Sequence, residues 1–540
     1  MRWTFCSMVF ATVLRLGVMP RLLAAVVAVA ASAALALHAA GPAVVTVAGG
    51  QLTGVAGRDT SVRVFKGIPF AAPPIGPRRW KAPEPAPAWS GVRAADRFAP
   101  ACMQNVAGAR LPWTEEFMHQ GAVSEDCLYL NVWTTANRGA RRPVLVYIYG
   151  GGFTEGSGSV PIYDGEALAK KGLVVVTVNY RVGVFGFFAH PELAAESPRA
   201  ASGNYGLLDQ VAALRWLQQN VAAFGGDPAN VTIAGQSAGA MSVYLLTASP
   251  RTRGLFHRAI VQSGPGGQAS FGVASARGLA QARSPAAQAG VVFATSRGAA
   301  SLQALRAQPA RDLLAPAAGA PPIRFAPVID GWLLTDDADI VYAKGWQQDV
   351  PLLTGMNADE GSAFGGYGKT TAAAFRDQAR SRFGDRAEQF LKLYPAGSDA
   401  DAGEAQVRSA REGALVALQQ LASQRAATAR TPAFLYYFDR AIPWPEHPEY
   451  GAFHSGELPY VFGNLSLLKR PWTAGDRALA DLVSSYWVRF ATAGNPNALG
   501  LPAWPAFTSS APRVMVLGAT SQPRTMPDAA PRRFFEDAAK

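Results

Sequence analysis

Short apolar runs, separated by Gly, Pro or polar residues, recur along the chain. Each is four to eight residues long and rich in Val, Ile and Leu. That pattern is typical of strands buried on both faces of a parallel sheet. The runs span residues 143–149, 173–180, 231–234, 259–262 and 351–354. The chain is therefore predicted to contain a mostly parallel central sheet.

Helical patterns alternate with these runs. Between the second and third runs, apolar residues at spacings of 4, 3, 3 and 4 mark one helix face, at Leu207, Val211, Leu214, Leu217 and Val221. The glycines and proline at 225–228 end this helix, which we expect over 207–223. Ala-rich stretches at 273–315 and 401–429 are predicted to be helical and to form a cap or flanking layer. Alternating strands and helices predict an α/β fold with helices on both faces of the sheet.

The first 40 residues differ from the remainder of the chain. They hold no acidic residue, and 22–40 contains no Lys or Arg, follows Arg21 and ends in small residues. This pattern predicts a signal peptide at 1–40 and a secreted or periplasmic protein. A retained membrane anchor is the alternative, because 19 uncharged residues nearly span a bilayer. The Ala-rich composition favours cleavage, after which we expect no stable membrane insertion.

Cysteine usage agrees with export. The chain has three cysteines, Cys6, Cys102 and Cys127, and removal of the signal leaves two. An even number in an exported chain suggests a disulfide. Two buried thiols are the alternative.

Residues 41–540 are predicted to form a single domain. A length of 540 residues would allow three or four domains. However, no Pro/Gly/Ser-rich spacer, charge block or repeat divides the chain. The formal net charge is +12, but Lys and Arg are scattered and form no runs interleaved with aromatics. We therefore expect no nucleic-acid partner.

A candidate nucleophile lies at Ser237, in the motif Gly-Gln-Ser-Ala-Gly at 235–239. The motif follows the apolar run 231–234 and precedes a helical pattern at 240–246, the context of a nucleophile elbow. The five letters alone are a weak signal, since 54 of the 540 residues are glycine. The alternative is a glycine-rich turn with an inert serine, and the surrounding strand and helix favour the elbow.

Three consecutive glycines, 150–152, follow the run 143–149. Glycines at a strand end allow backbone N–H groups to approach a substrate without side-chain obstruction. Together with the N–H of Ala238, they would stabilise the oxyanion that forms during acyl transfer. A flexible surface turn is the alternative.

A catalytic serine needs a base, usually His, that is oriented by a carboxylate. The chain order Ser, acid, His of such hydrolases favours a late histidine, and His454 is preferred over His447. For the acid, Asp359 and Glu360 both follow the run 351–354, and the pattern does not separate them. A helix cap or a solvated turn is the alternative for both.

Taken together, these segments resemble the type-B carboxylesterase/lipase family, which includes bacterial para-nitrobenzyl-type esterases, carboxylesterases and cholinesterases. The resemblance covers nearly all of the chain after residue 40. Its motifs are FKGIPFA at 65–71, EDCLYLNV at 125–132, YGGGF at 149–153, NYR at 179–181, FGGDP at 224–228, the nucleophile motif, DEG at 359–361, and His454 with YVFG at 460–463.

The resemblance implies an α/β-hydrolase fold with helical insertions near the site. It implies a triad of Ser237, Glu360 and His454. It further implies oxyanion donors at Gly151, Gly152 and Ala238, and a disulfide between Cys102 and Cys127. The family needs no metal and no cofactor.

The expected activity is hydrolysis of a small-molecule carboxylic ester to acid and alcohol through an acyl-enzyme. One alternative is a specialised complex ester, such as an esterified toxin or a polyester. Another is a member of the fold that only binds partners, which the complete Ser, Glu and His set disfavours.

Two positions depart from the family pattern. The family usually carries Glu before the nucleophile, where this chain has Gln236. We expect that position to tune the site without taking part in bond chemistry. The cholinesterase branch has a choline-site aromatic between the first cysteines, and neither Trp113 nor Phe117 fits its context. A choline ester is therefore not expected.

Overall fold

The structure is a computed structural model that describes residues 44–106, 108–265, 280–315, 323–525 and 529–538. Eleven strands form its central sheet. In chain order they are β1 Val55–Ala56, β2 Arg63–Pro69, β3 Tyr129–Thr134, β4 Arg142–Ile148, β5 Val174–Val178, β6 Gly226–Gln236, β7 Arg258–Gln262, β8 Leu352–Asn357, β9 Ala433–Phe438, β10 Arg513–Leu517 and β11 Gln522–Thr525. All five predicted strands are confirmed, as β4 to β8.

The spatial order of the strands is β1-β2-β3-β5-β4-β6-β7-β8-β9-β10-β11. Six neighbouring pairs, from β5 across to β10, are parallel, and the pairs at both edges are antiparallel. Val146 of β4 is in register with Val176 of β5 and with Ile233 of β6. The mostly parallel sheet is thus confirmed.

Fifteen helices lie in the described part of the chain. They are α1 Glu166–Lys170, α2 Gly183–Phe187, α3 Pro191–Glu196, α4 Tyr205–Asn220, α5 Ala238–Ala248, α6 Arg283–Ser296, α7 Leu302–Ala307, α8 Ala310–Leu314, α9 Ala338–Ala343, α10 Ala372–Phe383, α11 Ala387–Leu393, α12 Asp399–Ala426, α13 Leu458–Val461, α14 Ala474–Ala493 and α15 Ala529–Ala538. The helix predicted over 207–223 is α4, which continues as a 3-10 turn until Gly225 adopts a left-handed conformation.

The Ala-rich stretch at 401–429 is the long helix α12. In the stretch at 273–315, α6, α7 and α8 confirm a helical segment from residue 283, while 273–279 lies outside the described residues. Helices cover both faces of the sheet centre. Every residue of β5 is buried, and successive side chains of a strand point to opposite faces.

Of the features related to export, the structure describes the cysteine pair but not the predicted signal peptide. The predicted signal peptide at 1–40 lies outside the described residues. Within the described ranges, no helix combines the length and apolarity needed to cross a membrane. Cys102 and Cys127 form a disulfide with their Cα atoms 4.9 Å apart.

Candidate active site

Ser237 lies between the end of β6 and the start of α5, at the carboxyl end of the parallel strands. Its backbone has φ 57° and ψ −125°, a conformation that non-glycine residues rarely adopt. Its N–H donates to the carbonyl of Gln262 at 3.0 Å, which ties the turn to β7. Strain of this kind, about 1–3 kcal/mol, persists only where the surrounding structure enforces it.

The two glycines that flank this turn are required by close packing. A Cβ at Gly239 would lie 2.0 Å from the carbonyl oxygen of Ile148 in β4. A Cβ at Gly235 would lie 2.4 Å from the carbonyl carbon of Gly239. Strand and helix can therefore approach each other only without side chains at these positions, as the elbow motif predicts.

The candidate oxyanion donors lie beside Ser237. Gly151, Gly152 and Ala238 line the same cavity of about 440 Å³ as Ser237 and His454. Ala238 is the first residue of α5, whose leading N–H groups have no partner within the helix. No described residue accepts a hydrogen bond from the N–H of Gly151 or Gly152. The arrangement thus presents backbone donors to whatever occupies the cavity.

The predicted acid and base are in contact. His454 Nδ1 lies in a short hydrogen bond with Glu360 Oε2, and both side chains are buried. The alternative histidine, His447, lies elsewhere, partly exposed and 3.2 Å from Glu449. The structure therefore brings His454, and not His447, to Ser237 and Glu360.

Glu360 and Asp359, which the sequence pattern left unseparated, have different surroundings. Asp359 forms an ion pair with Arg411 of α12. Its Oδ2 accepts from the N–H of Ala452 at 3.0 Å, and its own N–H donates to the carbonyl of Ala452 at 3.0 Å. Asp359 thus fastens the loop that carries His454 to the loop that carries Glu360.

Two donors hold the second oxygen of Glu360. Ser263 Oγ donates to Oε1 at 2.5 Å, and the N–H of Asn357 donates to the same oxygen at 2.8 Å. With Oε1 committed to these donors, Oε2 is directed at His454. This arrangement determines which oxygen of the carboxylate contacts the imidazole.

Gln236 contacts the opposite side of the imidazole. Its Nε2 lies 3.1 Å from His454 Nε2, and its side chain is buried. With the proton on Nδ1 facing Glu360, the Nε2 of His454 is an acceptor, and the amide N–H of Gln236 donates to it. A glutamate at this position could not make that donation when ionised.

Aromatic side chains form one wall of the cavity around His454. The Trp113 ring lies 6.4 Å and the Phe364 ring 5.7 Å from the imidazole centroid. Trp113 Nε1 donates to Ser455 Oγ at 3.3 Å, and Phe117 packs against Phe453 at 5.8 Å. Trp113 and Phe117 thus line the cavity that contains the candidate triad.

A second buried carboxyl, Glu457, lies behind the candidate triad. It accepts hydrogen bonds from Gln262 Nε2 at 3.0 Å and from Asn357 Nδ2 at 2.6 Å. Burial and, to a smaller extent, the nearby charge of Glu360 raise the pKa of Glu457 to about 7. No cation forms an ion pair with this carboxyl among the described residues.

The pKa of Glu457 makes a prediction about stability and pH. From the ordinary value of 4.5 up to about 7, the folded chain keeps a proton that the unfolded chain has lost. Folding stability should therefore fall as the pH rises through this range. Glu457→Gln lacks the titration, and its one amide oxygen can accept from only one of the two donors. That loss is the same at every pH, so the stability of the variant relative to wild type should still increase between pH 5 and pH 8. Urea unfolding at several pH values measures this difference.

The exposed Glu404→Gln provides the control for that experiment, because Glu404 lies on the surface of α12. Its stability relative to wild type should change less with pH. A constant difference between Glu457→Gln and wild type across the range would contradict the inferred titration.

Sequence reasoning missed several contributors to this site. Ser263, Asn357 and Glu457 carry no motif by which a pattern could find them. Ser263 and Asn357 do share one signal, since each ends or follows a parallel strand on the side where Ser237 lies.

Known proteins resemble this chain over most of its length. The sequence model of a family described as "Carboxylesterase family" matches residues 41–534. A fumonisin B1 esterase of Sphingopyxis macrogoltabida is 41% identical over 478 residues, which are 85% of this chain and 84% of that protein. A para-nitrobenzyl esterase of Bacillus subtilis (strain 168) is 34% identical over 497 residues, or 88% of this chain and 94% of that protein.

Solved structures give a similar result. One PNB esterase structure superposes with a TM-score of 0.77 at 32% identity and covers 92% of this chain and 99% of its own. Another has a TM-score of 0.75 at 33% identity and covers 92% and 100%. The α/β-hydrolase fold inferred from the sequence is thereby confirmed.

Proposed function

The chain belongs to the carboxylesterase family and is a carboxylic ester hydrolase, and we propose that it acts through an acyl-enzyme formed on Ser237. The observation that carries this proposal is the strained Ser237 turn in one cavity with His454 and the backbone donors. That arrangement offers a nucleophile, a base and an oxyanion site within one space.

In the proposed mechanism, Ser237 Oγ attacks the ester carbonyl while His454 Nε2 takes its proton. Glu360 holds the imidazole with Nδ1 protonated and stabilises the imidazolium that forms. The N–H groups of Gly151, Gly152 and Ala238 stabilise the negative oxygen of the tetrahedral intermediate. The alcohol then leaves with the proton from His454.

Deacylation repeats these steps with water as the nucleophile. His454 removes a proton from water as the water oxygen attacks the acyl group on Ser237. The acid is released when the acyl–Oγ bond breaks and His454 returns the proton to Ser237 Oγ. A neutral imidazole has one lone pair on Nε2, so the hydrogen bond from the amide of Gln236 must break before His454 Nε2 accepts a proton from Ser237 or water.

A complex ester is the second candidate substrate, and the 41% identity to a fumonisin B1 esterase favours it. Fumonisin B1 itself is the member of this class to test first. The aromatic wall of Trp113 and Phe364 provides apolar surface to receive the alcohol or acyl part of a larger ester.

A substrate panel tests this proposal with the purified 41–540 chain. We expect turnover of 4-nitrophenyl acetate and butyrate, with much slower cleavage of the matched 4-nitroacetanilide. Fumonisin B1, followed by mass spectrometry, tests the complex-ester candidate. Failure to hydrolyse any ester above the buffer rate would contradict the proposed function.

The mature chain is also proposed to work outside the cytoplasm. The signal-like sequence at 1–40 and the Cys102–Cys127 disulfide support export. Recovery of the active chain in the cytoplasm with residues 1–40 still attached would contradict this placement.

A further inference from the structure

A second cavity lies apart from the candidate active site. Its volume is about 810 Å³, compared with about 440 Å³ for the cavity at Ser237, and the two share no lining residue. Four tryptophans contribute to its walls: Trp80, Trp89, Trp216 and Trp332. We call this cavity the tryptophan groove. Its size and aromatic lining are those of sites that hold drug-sized ligands.

The acidic residues of the tryptophan groove all form ion pairs or hydrogen bonds with other residues of the chain. Glu84 forms an ion pair with Arg78 at 2.7 Å, and Glu196 forms one with Arg306 at 2.7 Å. Asp330 is buried, and its Oδ1 accepts from the N–H groups of Trp332, Leu333 and Leu334 at 2.9–3.0 Å. These bonds also hold the backbone of Trp332 in place.

Two cations of the groove are not neutralised in this way. Arg199 and Arg215 are exposed, and neither forms an ion pair with any residue that the structure describes. Lys81 also lines the groove, but it lies near Glu196 and contributes to lowering the pKa of that carboxyl, after Arg306. The available charge of the groove is therefore positive, and two of the three cations that carry it are guanidinium groups.

One of these guanidinium groups is combined with an aromatic surface. The Cζ of Arg199 lies 4.1 Å from the Trp332 ring centroid, so the guanidinium is stacked over the indole. A flat ring can lie against Trp89, which is also partly exposed, while its acidic group pairs with a guanidinium. Such pairing is favoured because a guanidinium matches a carboxylate or sulfonate through two parallel hydrogen bonds.

We propose that the tryptophan groove is a second binding site, for a small aromatic molecule that carries a carboxylate or sulfonate. The amino-terminal segment of this same chain is a poor occupant, because residues 1–43 contain no acidic side chain and three arginines. The charge that would complement Arg199 and Arg215 must come from a separate anionic molecule.

Two matched fluorescent probes test the proposal on the active 41–540 chain. The probes are 1-anilinonaphthalene-8-sulfonate and its uncharged analogue N-phenyl-1-naphthylamine. We expect Arg199→Gln and Arg215→Gln each to weaken binding of the sulfonate roughly threefold to tenfold, the effect of one lost partly exposed charge contact. Binding of the uncharged probe should change less than about twofold. Unchanged hydrolysis of 4-nitrophenyl acetate shows that each variant is folded.

Two further arginines serve as controls. Arg251 also contacts Trp332, with its Cζ 5.2 Å from the ring centroid, but it does not line the groove. Arg324 lines the cavity at Ser237 instead. Arg251→Gln and Arg324→Gln should both leave sulfonate binding unchanged.

Three results would overturn the proposal. If Arg324→Gln alone weakens sulfonate binding, the probe occupies the cavity at Ser237. If Arg199→Gln and Arg215→Gln behave like Arg251→Gln, the groove does not recognise the negative charge. If Arg199→Gln and Arg215→Gln weaken binding of the charged and the uncharged probe equally, the two arginines only shape the wall of the groove. The proposed anionic class of ligand would then be wrong.

Discussion

Ser237→Ala is expected to lower kcat for a short aryl ester by about 10⁶-fold, the scale of loss when the nucleophilic serine of a serine hydrolase is removed. The reason is that the proposed acyl-enzyme has no other oxygen to form on, whereas the cavity and its backbone donors stay in place. Folding should be unaffected because alanine removes only a hydroxyl from a turn that the backbone holds through Gln262. Steady-state kinetics and circular dichroism measure the two effects separately.

Ser242→Ala is the matched control. Ser242 lies in the same helix, α5, is buried, and its Oγ accepts from Gln210 Nε2 at 3.2 Å. Its replacement removes a hydroxyl nearby without touching the cavity at Ser237, so we expect kcat within about tenfold of wild type. An active-site phosphonate should label wild type and Ser242→Ala but not Ser237→Ala. Near-normal turnover by Ser237→Ala would refute the acyl-enzyme proposal.

The centre of the fold could be predicted from the sequence because its strands are buried on both faces. Such strands appear as continuous apolar runs, and β4 to β8 were all identified from this signal. The outer strands gave weaker patterns. The edge strands β1 and β11, for example, have exposed or partly exposed residues throughout, so hydrophobicity does not distinguish them from loops.

The candidate site could be predicted only where chemistry leaves a motif. The turn at Ser237 needs Gly235 and Gly239, because a Cβ atom at either position would lie 2.0–2.4 Å from a neighbouring backbone atom. The two glycines are visible in the sequence as part of the motif. The choice of Glu360 over Asp359 was implied only by the family resemblance, since the strand pattern did not separate two residues that follow the same strand. It depends on contacts with His454 and Arg411, residues 94 and 52 positions away.

Contacts between distant segments explain the remaining omissions. Trp113 lies beside His454 although 341 positions separate them, and no sequence motif marks Trp113 as part of the site. The tryptophan groove is assembled from segments between residues 48 and 332. Its aromatic and cationic residues are spread along the chain, so no window of sequence reveals that they face one another.

Glu360→Gln is expected to lower kcat by about 10³- to 10⁴-fold, because the amide would impose the wrong tautomer on His454. Oε1 of Glu360 accepts hydrogen bonds from Ser263 Oγ and the N–H of Asn357, so the amide oxygen of the variant must take that position. The amide nitrogen then faces Nδ1 of His454 as a donor. Nδ1 must become the acceptor and Nε2 must carry the proton, which leaves no base for Ser237.

Asp359→Asn separates this effect from loss of a neighbouring charge. Asp359 lies one residue away, and its replacement removes the ion pair with Arg411 while the amide oxygen can still accept from the N–H of Ala452. We expect a loss of stability of about 1–2 kcal/mol and a change in kcat of less than about tenfold. Glu360→Gln should instead show a large fall in kcat, at nearly unchanged KM, with a smaller loss of stability. If Asp359→Asn lost as much kcat as Glu360→Gln, the assignment of Glu360 as the acid that orients His454 would be wrong.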